Sequence, residues 1–204
     1  PASCWRGPRL EHGGSGCGGG MPARRGGGAG AVAPAQRGVL LLGGTGSGKS
    51  ALLRRLEEFA LRGCAGASDL EDIIPTIGVE VSEFRYRKTP VLIREVGGQM
   101  AALWPEYFKS CNMVIYAVDL GNRPQTSDAM VRLLDMLRHP DLLDKRVLVL
   151  LNKADCPRPM TRAEVDFSLG LSLLEASSAR IASATVSAAK GHGLAKVLEW
   201  VGEG

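Results

Sequence analysis

The chain reads as an α/β protein: a mostly parallel sheet flanked by helices on both faces. Three observations predict this. Short apolar runs recur through residues 38–204, helical runs separate them, and the chemistry-bearing motifs fall at the ends of the apolar runs. Strands that are apolar throughout must be buried on both sides, and parallel sheets covered by helices provide that burial. Such sheets bind ligands outside the carboxyl ends of their strands.

Each element has its own signal. Val39–Leu42 predicts a buried strand, and Ser50–Arg62 a helix with Leu52, Leu53, Leu56 and Phe59 on one face. Cys64 to Asp72 reads as a loop. Val79–Arg87 and Pro90–Glu95 are expected to pair as a hairpin across Lys88-Thr89. Ala101–Lys109 is expected to be helical, and Met113–Asp119 is an apolar, β-branched strand that ends in an acid. Pro124 marks a helix start leading into Gln125–Arg138, where Met130, Leu133, Leu134 and Leu137 recur at helical spacing. Arg146–Leu151 predicts a strand, Glu164–Leu169 a short helix, Ile181–Ser187 a strand and Leu194–Val201 a closing helix.

Charge and glycine are unevenly placed. Residues 1–37 hold 11 of the 27 glycines, and five arginines there face the single acid Glu11. The whole net charge of +4 lies in that segment, so residues 38–204 are neutral. The segment lacks apolar periodicity and cannot bury enough surface to offset its ordering entropy, so a disordered Gly/Arg-rich tail is expected over 1–37. The chain opens on Pro1, and Met21 is a candidate internal start, so part of the tail is expected to be non-native. Residues 38–204 are expected to form one domain and to be monomeric. They carry no basic stripe interleaved with aromatics, so no nucleic-acid partner is expected. Five cysteines, odd in number and without a Cys-x-x-Cys pair, argue against a disulfide framework or zinc site and for a reducing compartment. No apolar run approaches the length of a membrane span, and no secretory core or prenylation box appears. A cytoplasmic protein without stable membrane insertion, at most transiently at a membrane, is the expectation.

The octet Gly43-Gly44-Thr45-Gly46-Ser47-Gly48-Lys49-Ser50 fits the phosphate-binding loop, Gly, four residues, then Gly-Lys-Ser/Thr. It sits between a strand and a helix, the context that motif requires. A glycine-rich loop can turn its N–H groups inward around phosphate oxygens, and the following helix points its positive end at the same anion. Lys49 is placed to reach the β and γ phosphates, and the Ser50 hydroxyl to hold Mg²⁺. Asn152-Lys153-Ala154-Asp155 follows the strand Arg146–Leu151. A carboxylate there accepts from the N1–H and exocyclic amino group of guanine, a donor pair that adenine lacks. Lys153 is expected to lay its stem across the base, while Asn152 braces the loop. Alone this tetrapeptide is equally a strand-end turn; downstream of a phosphate loop it becomes specific.

Between the two motifs lie Pro75-Thr76-Ile77-Gly78 and Glu95-Val96-Gly97-Gly98-Gln99, then Leu103-Trp104-Pro105-Glu106-Tyr107-Phe108. With these, and with Ser187-Ala188-Ala189 near the end, the chain resembles the Arf and Arf-like branch of the Ras-like small GTPases over residues 39–201. The resemblance implies a small-GTPase fold that binds GTP and GDP with Mg²⁺ as cofactor. It also implies slow GTP hydrolysis assisted by a partner's arginine. Thr76 would supply a second Mg²⁺ hydroxyl and sense the γ-phosphate, which the Gly98 N–H would also bond. Gln99 would orient the attacking water, so Gln99 and Lys49 are the residues expected to act in catalysis. Ser187 and Ala188 would form the last base-contacting loop, with the Ala188 N–H on guanine O6. Effector, exchange-factor and GTPase-activating proteins would dock on residues 73–109.

The chain also departs from that pattern. Glu95 stands where the family has an aspartate that holds Mg²⁺ through water, and Glu95 is expected to reach the ion through water as well, with altered geometry. Val79 and Arg94 replace aromatic residues at effector positions. The connection before Thr76 is longer, and the glycine–arginine tail stands in place of an amphipathic, myristoylated helix. A guanine-nucleotide-gated scaffold with little hydrolysis is therefore the alternative. A P-loop kinase or ATPase is a third reading, one in which Asn152–Asp155 has no role.

Overall fold

The computed structural model describes residues 37–64 and 76–203. The expected tail, except Arg37, lies outside them, as do Pro75 and all of the expected Cys64–Asp72 loop but Cys64. Six strands form one sheet in the order β2-β3-β1-β4-β5-β6. They are β1 (Arg37–Gly43), β2 (Val79–Tyr86), β3 (Thr89–Val96), β4 (Met113–Asp119), β5 (Arg146–Asn152) and β6 (Ile181–Thr185). Only the edge pair β2 and β3 is antiparallel; β3, β1, β4, β5 and β6 run parallel to one another. The mostly parallel sheet read from the apolar runs is therefore present.

The alternation along β1 divides the core. Val39 and Leu41 point to one face, where they meet Leu52 and Leu56 of α1 (Lys49–Arg62) and Val197, Leu198 and Val201 of α6 (Leu194–Glu203). Leu40 and Leu42 point to the other, against Leu133 of α3 (Thr126–Arg138) and Val165 of α4 (Arg162–Leu169). All these side chains are at most 1% exposed, and each is worth roughly 1.5–3 kcal/mol of burial. Five parallel or central strands held this way end in register, so the loops after β1, β4, β5 and β6 open on one edge.

Three expectations need correction. The helix read over Ala101–Lys109 is two pieces: a 3-10 segment Gly98–Leu103, with Met100 off helical geometry, and the single turn α2 (Pro105–Phe108). Pro105 has no N–H to donate backwards and its ring crowds the preceding turn, so the helix must restart there. The hairpin turns at Arg87-Lys88, one residue before the expected Lys88-Thr89, with both residues left-handed (φ 47° and 73°). Two positive-φ residues in a row match the twist of a tight hairpin, but without glycine the turn left no sequence mark. Strand β6 stops at Thr185 rather than Ser187, because Ser187 leaves the ladder to pair with His192. A further helix, α5 (Leu171–Ser177), follows the left-handed Gly170 and was not foreseen.

Candidate functional site: a phosphate loop tied to a base-reading loop

The phosphate loop leaves β1 at Gly43 and enters α1 at Lys49. Gly48 is left-handed (φ 83°), and a Cβ there would lie 2.5 Å from Asn152 Nδ2, so both backbone angle and space require glycine. The first turn of α1 carries no acid, which leaves its positive end uncompensated and directed at the loop. Lys49, 5% exposed, donates from Nζ to the carbonyls of Gly43 at 3.1 Å and Gly44 at 3.0 Å. Burial pushes its pKa down, and the nearby Glu95 carboxylate opposes that shift. A buried ammonium whose hydrogen-bond partners among the described residues are loop carbonyls is poised for a stronger acceptor.

Thr45, Gly46, Gly48, Lys49 and Ser50 line one cavity of about 240 Å³ with Thr76, Glu95, Gly98, Gln99 and Lys153. The residues singled out after β1, before β2 and after β3 thus share one wall. Gly98 begins the 3-10 segment, and a Cβ on it would lie 2.4 Å from the Thr45 nitrogen. The backbone at Gly98 therefore rests directly on the phosphate loop. Gln99 is exposed at the cavity mouth.

Glu95 is the departure that geometry makes informative. The Ser50 hydroxyl donates to Glu95 Oε1 at 2.8 Å and Thr76 donates to the same oxygen at 3.1 Å, while the two hydroxyls are 3.0 Å apart. Glu95 is 1% exposed, and its buried Oε2 has no hydrogen-bond partner among the described residues. Burial pushes its pKa up; the Ser50 hydroxyl and Lys49 pull the other way. Two hydroxyls and one carboxylate in contact, with an orphaned oxygen beside them, are the hard-oxygen set that suits Mg²⁺.

The loop that starts at Asn152 is bolted to the phosphate loop. Asn152, fully buried, donates from Nδ2 to the Ser47 carbonyl at 2.9 Å and accepts the Ala188 N–H on Oδ1 at 3.2 Å. Asn152 is thus the brace expected from sequence. The Ala188 N–H expected on guanine O6 is engaged with Asn152 as placed, which the sequence did not reveal. Asp155 is exposed, and its Oδ1 accepts from the Ser187 hydroxyl at 2.5 Å, which in turn accepts the Lys190 N–H at 2.9 Å. That chain leaves the second carboxylate oxygen for a ligand. Lys153 adopts φ 63° and donates to Asp119 Oδ2 at 2.8 Å. Asp119 also accepts the Gly121 N–H at 2.8 Å, so it anchors both lysine and turn. Its position, the acid closing β4, was visible in the sequence, but its role was not.

The sheet order, the phosphate loop after the central strand and the guanine-type tetrapeptide after β5 define the class: a P-loop small GTPase fold. The ADP-ribosylation factor family matches residues 33–204. ADP-ribosylation factor-like protein 16 of Homo sapiens is 34% identical over 166 residues, covering 79% of this chain and 83% of that protein. ADP-ribosylation factor-like protein 1 of Drosophila melanogaster is 33% identical over 165 residues, 80% of this chain and 86% of that protein. In fold, the chain is similar to the Arl6 BBS3 small GTPase of Trypanosoma brucei, solved with the nucleotide analogue GppNp. That match has a TM-score of 0.70 at 21% identity and covers 83% of this chain and 96% of that one. The chain belongs to the ADP-ribosylation factor family of GTP-binding small GTPases. Among the described residues no helix is long and apolar enough to cross a membrane.

Proposed function

We propose that residues 38–204 form a GTP-dependent switch that holds GTP or GDP with Mg²⁺ and hydrolyses GTP slowly, with assistance from a partner protein. The observation that carries this reading is the single cavity wall formed by Lys49, Ser50, Thr76, Gly98 and Gln99, braced through Asn152 to Asp155 and Ser187. Gly43 to Ser50 cradle the phosphates through loop N–H groups, and Lys49 exchanges its loop carbonyls for β and γ oxygens. Asp155 reads guanine, Lys153 flanks the base, and Asn152, Ser187 and Ala188 fix the loop that holds it. Ser50 and Thr76, with Glu95, would hold Mg²⁺, which neutralises charge on the phosphates when bound. Gln99, exposed at the mouth, orients water. The γ-phosphate orders Thr76 and Gly98, and its loss releases them.

Partners that read this state dock on residues 73–109. Ile77 is 93% exposed and Val81 54%, beside Arg94, whose guanidinium lies 5.8 Å from the centre of the Tyr107 ring. An apolar strip next to a cation selects partners different from those that need an aromatic patch. The protein works in the cytoplasm with at most transient membrane contact.

Replacing Asp155 by Asn tests the base assignment: xanthine nucleotide should displace guanine nucleotide as the preferred ligand, and unchanged guanine preference would refute it. A scaffold that holds GTP with little turnover is the second reading, favoured by Glu95 bonding the Ser50 and Thr76 hydroxyls directly. Single-turnover hydrolysis by the wild type and by Gln99→Leu separates the two. A wild type as slow as the variant, even with an activating protein, establishes the scaffold.

A further inference from the structure

The three oxygens of Ser50, Thr76 and Glu95 form a nearly equilateral triangle, with edges of 2.8, 3.0 and 3.1 Å. An octahedral Mg²⁺ holds its oxygens at about 2.1 Å, so neighbouring ligands stand about 3.0 Å apart. The triangle has the dimensions of one face of that octahedron. All three residues line the same cavity, so the face opens towards the phosphate loop. We infer that Glu95 enters the inner coordination shell of the bound Mg²⁺ through Oε1, as a third protein ligand beside Ser50 and Thr76, instead of acting through an intervening water.

The physical reason is side-chain length. An aspartate at this position is shorter by one carbon–carbon bond, about 1.5 Å, and its oxygen would retreat from the face and leave room for a water. Glutamate has the reach to replace that water. Contact with Ser50 alone would not distinguish the two arrangements, because a carboxylate outside the shell can also accept from a ligating hydroxyl. Simultaneous contact with Thr76 brings Oε1 to the same corner that a ligand would occupy. The buried Oε2, without a hydrogen-bond partner among the described residues, then serves as acceptor for a cation-bound water, the role left to the second oxygen of a monodentate carboxylate.

This inference rests on the Mg²⁺ reading above, and one experiment separates their failures. The full chain is loaded with Mn²⁺, which shares the octahedral oxygen preference, and a non-hydrolysable GTP analogue. Broadening of the Mn²⁺ electron paramagnetic resonance by ¹⁷O-water counts the bound waters in the wild type and in Glu95→Asp. The expected result is one water more in Glu95→Asp than in the wild type. Equal counts, the result if Glu95 accepts hydroxyl protons from outside the shell, overturn the inner-shell assignment and leave the Mg²⁺ site standing. Failure of both proteins to bind Mn²⁺ with nucleotide overturns both readings.

Discussion

Replacing Asn152 by Ala should unfasten the phosphate loop from the base loop and cost more than a typical surface change. The side chain is fully buried and makes two hydrogen bonds, to the Ser47 carbonyl at 2.9 Å and from the Ala188 N–H at 3.2 Å. Both partner residues are themselves under 5% exposed, so neither group finds bulk water when the amide is removed. An orphaned buried polar group costs about 1–3 kcal/mol, so two orphans should cost about 2–6 kcal/mol. That is a large share of the roughly 5–15 kcal/mol that holds a domain folded. Urea unfolding at a fixed, saturating GDP concentration reads the loss, since bound nucleotide adds its own stabilisation. With a slope of about 1–3 kcal/mol per molar urea, the midpoint should fall by at least about 0.7 M. Nucleotide release should quicken in the same variant, because the two halves of the site no longer move together. Asn152→Asp sharpens the test: it keeps the acceptor for Ala188 but sets a carboxylate against the Ser47 carbonyl, and should be at least as destabilising. A loss under about 1 kcal/mol for Asn152→Ala would refute the reasoning, since it would mean that water satisfies both orphans.

Gly98→Ala should prevent the segment after β3 from resting on the phosphate loop, because the new Cβ meets backbone at 2.4 Å; altered release of a fluorescent guanine nucleotide, with the fold unchanged by circular dichroism, is the expected result. Cys111 is buried, donates to the Phe108 carbonyl, and is pushed by burial up to about 11, whereas Cys64 is exposed. Alkylation of the native protein near pH 8, mapped by mass spectrometry, should therefore modify Cys64 and spare Cys111. Thr161 and Glu164 cap α4 reciprocally, so Thr161→Ala should cost about 1 kcal/mol by thermal unfolding. The cap lowers the Glu164 pKa below its usual value, so its contribution is present above that value and is lost as pH falls through the depressed one. A stability difference between wild type and Thr161→Ala that narrows in acid would confirm that sign.

Much of the fold was legible because burial leaves continuous apolar runs. Met113–Asp119 and Arg146–Leu151 were read within a residue of their true ends, and Leu52, Leu53 and Leu56 on their true face. What was misread had a local physical cause. Pro105 split an apparently continuous helix, Arg87-Lys88 turned the hairpin without glycine, and Ser187 left its strand to hold Asp155. Leu171–Ser177 was missed because a helix that short, starting from a left-handed glycine, shows almost no periodicity.

The sequence by itself determined which motifs were present: a phosphate loop needs only consecutive residues, and so does the Asn152–Asp155 tetrapeptide. The sequence also showed that Glu95 is longer than the family's aspartate. Only the tertiary structure decided what that length does. Three oxygens from residues 50, 76 and 95 meet in one triangle because β1, β3 and the segment before β2 end side by side. In the same way Asn152 spans 105 residues of sequence to reach Ser47. Contacts of this kind depend on strand register and on distances of a few tenths of an ångström, and no pattern of neighbouring residues encodes them.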